Sequence, residues 1–280
     1  MDTVEQDDRS HGENLGQTQS YTRPMSDPLP ASPLTRQSAF RGQTVLITGS
    51  SSGIGAATAR LFAALGATVV VNSSRSKEAG LALAADLPDA SYVQADVADE
   101  AQARGLIDQV VARHGRLDIL VNNAGTTEVI SHGDLVGASP DVWRRIFDVN
   151  VIGTWQVTVA AVEHLRATGH GQVVNISSVA GERPTGSSIP YACSKAAVSH
   201  MTRLLANTLG PDIRVNAVAP GLVDTPWTAD WDFVREFVTA QAPLQRTATP
   251  EDVAEVILGL ARSEYVTGEV VIVDGGLNLR

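Results

Sequence analysis

Thr44-Val45-Leu46-Ile47-Thr48-Gly49-Ser50-Ser51-Ser52-Gly53-Ile54-Gly55 is the stretch on which the fold turns. Its first five residues form a short β-branched, apolar run without alternation, the pattern of a strand buried on both faces of a parallel sheet. Glycines 49, 53 and 55 follow at once. A helical pattern then runs through Leu65 and stops at Gly66, and Thr68-Val69-Val70-Val71-Asn72 reads as a second strand. Strand, glycine turn, helix, strand is a βαβ unit.

Downstream the alternation continues. Ser76 to Leu87 reads as helix, Ser91 to Ala95 as strand, Asp99 to His114 as helix closed by Gly115, and Leu117 to Asn122 as strand. After a loop, one helix starts near Ser139 and a long one covers Val151 to Ala167, with apolar residues on more than one side. Then come a strand at Gln172 to Ser177, a helix at Tyr191 to Leu209 and a strand at Ile213 to Ala219. A helix at Pro250 to Ala261, with Thr249 as N-cap and Pro250 in its favoured first position, leads to a closing strand at Gly268 to Val273. About seven strands separated by helices predict an α/β fold, a single doubly wound parallel sheet.

Upstream the pattern vanishes. Residues 1–39 are rich in Asp, Gln, Ser, Thr and Pro, too poor in apolar side chains to offset ordering entropy, and read as a flexible tail. Met25 is a candidate alternative start. Residues 40–280 are left as one domain, which suits a chain of 280 residues that is 43% hydrophobic. A net charge of −10 argues against nucleic acid and anionic membranes as partners. Cys193, the only cysteine, excludes an internal disulfide, fits a reducing compartment and reads as core filling. No apolar run approaches the ~20 residues of a membrane span, and the acidic N-terminus lacks a signal-peptide core. A cytoplasmic location is expected. The six histidines (His11, His114, His132, His164, His170, His200) show no ligand spacing, so no metal site is expected.

In an open parallel sheet, ligands bind beyond the carboxyl ends of the strands. The unusual residues of this chain fall at such ends. At Gly49, Gly53 and Gly55 the missing β-carbons let backbone approach a pyrophosphate, and the helix beginning there offers N–H groups to it. The spacing is G-x-x-x-G-x-G, not G-x-G-x-x-G. A carboxylate about 20 residues after the glycines would bind the adenosine ribose and favour NAD. Asn72 stands there instead, followed by Ser73-Ser74-Arg75, and an arginine can bind a 2′-phosphate bidentately. NADP(H) is therefore expected, with NAD(H) as the alternative. Asp96-Val97, after the third strand, is placed to meet adenine. In Asn122-Asn123-Ala124-Gly125, after the fourth, small residues allow close approach and the amides can tie strands together.

Tyr191 and Lys195 lie four residues apart on a helix, on one face. An ammonium beside a phenol favours the phenolate and is expected to pull its pKa below the usual ~10.

Together these motifs strongly resemble the short-chain dehydrogenase/reductase family: T-G-S-S-S-G-I-G at Thr48–Gly55, Asp96-Val97, N-N-A-G at Asn122–Gly125, Asn150, I-S-S at Ile176–Ser178, Y-A-C-S-K at Tyr191–Lys195, Pro220-Gly221, and V-D-G-G at Val273–Gly276. The resemblance covers about residue 41 to the end. It implies a Rossmann-type domain, a nicotinamide cofactor, and interconversion of a ketone or aldehyde with a secondary alcohol. Tyr191 would be the general acid/base. Lys195 and the oxidised nicotinamide would lower its pKa toward neutrality, Lys195 would bind the nicotinamide ribose, Ser178 would hold the carbonyl oxygen, and Asn150 would bind a water that resupplies the proton. Ser178 is preferred to Ser177 because the family places this serine thirteen residues before the tyrosine. Gly49, Ser51, Ser52, Gly53, Ile54, Gly55, Ser74, Arg75, Asp96, Val97, Asn123, Ala124 and Gly125 would line the cofactor together with Tyr191, Lys195, Pro220 and Gly221. Backbone at Val223 and the Thr225 hydroxyl would meet the carboxamide.

Leu222 to Arg246 would be the lid over a small-molecule substrate. Trp227, Trp231, Val234 and Val238 fall at helical spacing, and core packing is the expected use of most aromatic and apolar residues there. Trp227 is the pocket candidate. No arginine suited to a substrate carboxylate stands out, which favours a neutral, partly apolar ketone. 3-Oxoacyl-carrier-protein reductases are a natural comparison, but Asn207 stands where they carry a carrier-docking arginine, with Arg203 one turn earlier. A nucleotide-sensing regulator without turnover is the alternative of another class, disfavoured by the complete Asn150, Ser178, Tyr191, Lys195 set. The resemblance also implies a homotetramer or homodimer through the helices at Val151–Ala167 and Tyr191–Leu209.

Overall fold

The computed structural model describes residues 39–279, so the tail expectation lies outside the described residues except at Ala39. The strands are β1 (Thr44–Ile47), β2 (Thr68–Ser73), β3 (Ala90–Gln94), β4 (Ile119–Asn122), β5 (Gly171–Ile176), β6 (Ile213–Pro220) and β7 (Val270–Val273). They form one seven-stranded sheet in the order β3-β2-β1-β4-β5-β6-β7, and every pairing is parallel. The helices are α1 (Gly53–Ala64), α2 (Lys77–Asp86), α3 (Glu100–His114), α4 (Pro140–Phe147), α5 (Thr154–Ala167), α6 (Ile189–Leu209), α7 (Asp232–Gln241) and α8 (Pro250–Arg262).

The unbroken apolar runs are explained by what covers each face. Successive side chains of a strand point to opposite sides. Val45 and Ile47 of β1 enter a core with Phe62 of α1 and Val253 and Ile257 of α8. Leu46, between them, enters a second core with Leu106 of α3 and Val157 and Leu165 of α5. Because β1 lies between β2 and β4, the chain leaves it in one direction and later returns on its other side. That reversal opens a crevice at the carboxyl ends of β1 and β4.

Local signals set the element ends. The Asp99 side chain accepts from Gln102 N–H at 2.9 Å to start α3, and Gly115 ends it in the left-handed region at φ 74°. Thr249 caps α8 as expected, with Pro250 in the first turn. β7 starts two residues later than predicted because Gly268, at φ +81°, is not extended. A larger departure concerns the predicted boundary at Val151. The chain stays helical from α4 through a π-helical segment, Asp148–Gly153, into α5. This wider turn carries Asn150. Among the described residues, no helix is long and apolar enough to cross a membrane.

Candidate active site

A cavity of about 1120 Å³ runs along the carboxyl ends of the strands, from Ser74 and Arg75 at one end to Phe233 and Phe237 at the other. Its floor begins at the turn after β1. Gly49 and Gly53 adopt φ of 61° and 55°, and a β-carbon at Gly49 would stand 2.8 Å from Ala124 Cα. Asn72 is buried and joins three strand ends. Its Oδ1 accepts from Gly49 N–H at 3.2 Å, while Nδ2 donates to the carbonyls of Val93 and Ala95. Asn123 Nδ2 donates to the carbonyls of Thr48 and Gly49, both at 2.9 Å, tying β4 to the same turn. Asn122 bridges Thr158 and Asn175, the strand-tying expected of these amides.

Ser51, Ser52, Gly53, Ile54, Asp96, Val97, Asn123, Ala124 and Gly125 line the cavity. Gly55, expected among them, does not. A β-carbon there would meet Asn123 Nδ2 and Ser50 Cα at 2.6 Å, so Gly55 lets α1 pack beneath the turn. Ser52 makes no side-chain cap bond at the start of α1. The first-turn N–H groups thus meet the cavity without a side-chain acceptor, which suits an anion.

At the Tyr191–Lys195 end of the cavity, Ser188 caps α6 by accepting from Tyr191 N–H at 3.4 Å. Tyr191 and Lys195 both face the cavity. Lys195 Nζ donates to the Ile176 carbonyl at 2.7 Å and stands 5.8 Å from the centre of the Tyr191 ring. Lys195 by itself does not lower the phenol pKa. Burial raises it above the ordinary value, and a hydrogen bond with Ser178 opposes the rise. Burial also lowers Lys195, to about 8. The ammonium is directed at the end of β5, and burial penalises the charged form of each group.

Of the two adjacent serines, Ser177 bonds the Lys195 carbonyl at 3.0 Å and Ser199 Oγ at 2.7 Å, leaving Ser178 beside the phenol. Asn150 is fully buried. Its Nδ2 donates to Thr126 O and Ser194 Oγ, and its Oδ1 accepts from Thr126 N–H at 2.7 Å. One Oδ1 lone pair is left for a water. Gly181, overlooked in the sequence, seats the turn after Ser178 against α6, since a β-carbon there would stand 2.6 Å from the Lys195 carbonyl carbon. Its only sequence signal is its place three residues after Ser178.

Pro220, Gly221, Val223 and Thr225 line the cavity after β6. Trp227 sits in a short 3₁₀ turn, Pro226–Thr228, edge-on to Tyr191 with ring centroids 6.4 Å apart. Trp227, Trp231, Val234 and Val238 do not share one helix, because α7 begins only at Asp232. All four nevertheless line the cavity, as do Phe233 and Phe237. Of these six only Val238 is buried, so their use is cavity wall, not the expected core packing. Arg145, also overlooked, reaches the cavity wall from α4 and pairs with Glu128. Cys193 is exposed, correcting its reading as core. Among the described residues, no group of three or more His, Cys, Asp or Glu could hold a metal.

Comparison with known proteins agrees with this geometry. The family model described as enoyl-(acyl carrier protein) reductase matches residues 49–278. The chain is 60% identical over 237 residues to "Granaticin polyketide synthase putative ketoacyl reductase 2" of Streptomyces violaceoruber, covering 84% of this chain and 95% of that protein. It is 42% identical over 246 residues to the 3-oxoacyl-[acyl-carrier-protein] reductase FabG of Thermotoga maritima, covering 85% and 98% respectively. Among solved structures, ElxO with NADP bound superposes with a TM-score of 0.78 at 31% identity, over 85% of this chain and 99% of that one. The protein belongs to the short-chain dehydrogenase/reductase family. It is a nicotinamide-dinucleotide-dependent oxidoreductase acting on carbonyl and alcohol groups.

Proposed function

We propose that the protein uses NADPH to reduce the ketone of a 3-oxoacyl or polyketide chain to a secondary alcohol. The observation that carries this reading is the grouping of Ser178, Tyr191 and Lys195 at one end of a cavity whose other end holds a glycine turn and Arg75. Two hydroxyls side by side can hold one carbonyl oxygen. The choice of ketone follows the printed activities of the two relatives above.

The residues fit the dinucleotide. Ser51, Ser52, Gly53 and Ile54 offer backbone to the pyrophosphate, Asp96 and Val97 take the adenine, and Asn123, Ala124 and Gly125 form the floor. Arg75 and Ser74 bind the 2′-phosphate, with no carboxylate at the end of β2 to repel it. Pro220, Gly221, the Val223 backbone and the Thr225 hydroxyl hold the carboxamide end. The bound cofactor supplies a hydride to the carbonyl carbon.

Ser178 donates to the substrate oxygen, and Tyr191 Oη transfers its proton there as the negative charge develops. Lys195 steadies the phenolate and binds the nicotinamide ribose. The last lone pair of Asn150 Oδ1 holds a water on the route that restores the proton. Ile152 of the π-helical segment, Trp155 and Val159 of α5 and Leu204 of α6 are exposed apolar side chains, and these helices are the faces that would pair with a second copy.

The test is NADPH oxidation with a 3-oxoacyl thioester by wild type and Tyr191→Phe. Removing the proton donor is expected to lower kcat by roughly 10²–10⁴, and equal rates would refute the role of Tyr191. Arg75→Ala should weaken NADPH binding about tenfold or more and NADH binding little. Tighter binding of NADH than NADPH by the unaltered protein would refute the cofactor preference.

A further inference from the structure

Two contacts place the turn after β6 across the cavity, not beside it. A β-carbon at Gly125 would stand 3.8 Å from Trp227 Cη2, 3.6 Å from Lys195 Nζ and 3.4 Å from Asn150 Oδ1. A β-carbon at Gly53 would stand 3.2 Å from Thr225 Cγ2. The indole also meets the Tyr191 ring edge-on, at an interplanar angle of 77°. Trp227 therefore reaches into the space bounded by Gly125, Lys195 and Tyr191.

That space is the one a nicotinamide riboside needs. Hydride and proton go to the two atoms of one carbonyl, and Tyr191 faces that carbonyl. A dinucleotide running from the Gly53 turn toward Tyr191 must cross the floor at Gly125. Carbon walls that hold a flat ring between them stand about 7–8 Å apart, two contact distances. Gly125 has no β-carbon, so the indole stands at most ~5.3 Å from its Cα, one C–C bond beyond the 3.8 Å, which is still less than those walls need. Ring and indole cannot share the place.

We propose that Trp227 is a displaceable plug of the cofactor channel: in this conformation its indole fills the nicotinamide half, and a dinucleotide binds only after the indole swings out. The proposal rests on the nucleotide reading above. The turn is held through its backbone and neighbours. Thr228 Oγ1 donates to the Val223 carbonyl at 2.6 Å, Arg235 Nη2 to the Thr228 carbonyl at 3.2 Å, and Arg235 Nε to Asp224 Oδ1 at 2.9 Å. None of these bonds engages the indole, which is 47% exposed, so it can leave by rotation of its own side chain.

A channel that is open only part of the time weakens apparent affinity by the open fraction, so a plug in place about 90% of the time costs about tenfold. The experiment is rapid mixing of the full chain with NADPH, followed by the fluorescence of the reduced nicotinamide, with equilibrium titrations alongside. In the wild type the observed rate should level off with rising NADPH, because unplugging comes first. In Trp227→Ala it should rise linearly, and the Kd should fall several-fold to about tenfold. Trp227→Phe should lie between. The same saturating rate and the same Kd in Trp227→Ala, with only the ketone KM altered, would reduce Trp227 to a substrate wall and overturn the proposal. If neither protein binds NADPH or NADH, the nucleotide reading itself fails and takes the plug with it. Because the site is half exposed, Trp227→Ala should keep the wild-type circular dichroism spectrum.

Discussion

Burial of Lys195 makes a prediction about stability that is independent of turnover. Its ammonium lies inside the protein with a pKa lowered from 10.5 to about 8. The unfolded chain therefore holds this proton through a range of pH in which the native protein has given it up. Stability must rise with pH where the unfolded state binds more protons. Below about pH 8 both states are charged and the full burial penalty applies. Between that point and about pH 9.5 the penalty shrinks by about 1.4 kcal/mol per unit, or about 2 kcal/mol in all. Tyr191 does not obscure this gain, because its raised pKa lowers stability only above the ordinary phenol range. The perturbation is Lys195→Met, which removes the titrating group and keeps an unbranched side chain. The assay is urea unfolding of both proteins from about pH 7 to 9.5, at one protein concentration because assembly adds to stability by mass action. With urea m-values of about 1–3 kcal/mol/M, the wild-type midpoint should gain roughly 0.7–2 M relative to the variant. The loss of the bond to the Ile176 carbonyl lowers the whole variant curve without tilting it. Parallel curves would show that Lys195 is neutral or solvated at pH 7, and would refute the buried-ammonium account.

Two further perturbations test the frame around the site. Gly181→Ala puts a β-carbon 2.6 Å from the Lys195 carbonyl carbon and 2.7 Å from Ala196 N, both backbone atoms that cannot rotate away. The turn bearing Ser178 must shift, costing about 1–3 kcal/mol in thermal or urea unfolding and lowering kcat more than it raises ketone KM; unchanged kinetics would show that the turn does not set Ser178. Phe62 is fully buried and packs edge-on against Phe40 at 4.9 Å, so Phe62→Ala should cost about 3–5 kcal/mol by urea unfolding. A cost under about 1 kcal/mol would mean that α1 and α8 collapse onto the gap.

What the sequence made legible and what it hid divide along a physical line. The strands, the glycine turn and the Tyr191–Lys195 face follow from short-range periodicity and from backbone freedom, which are written within a dozen residues. The features that differed depend on groups far apart in the chain. Gly55 looks like a phosphate-loop glycine, yet its neighbours are Ser50 Cα and Asn123 Nδ2. Lys195 one turn from Tyr191 promises a lowered phenol, yet the Ile176 carbonyl claims the ammonium and burial governs both groups. Arg145 carries no local mark, and only the packing of α4 brings it to the cavity with Glu128. The segment after β6 is the clearest case. Helical spacing of Trp227, Trp231, Val234 and Val238 predicted a face, and a face exists, but a 3₁₀ turn and a late helix start bend it around a cavity. A hydrophobic period records which side chains avoid water together. It does not record whether the thing they cover is the protein's own core or a bound molecule, because both present the same apolar surface. At Trp227 the distinction is visible only in three dimensions, where the indole stands over the cavity floor at Gly125 and edge-on to Tyr191.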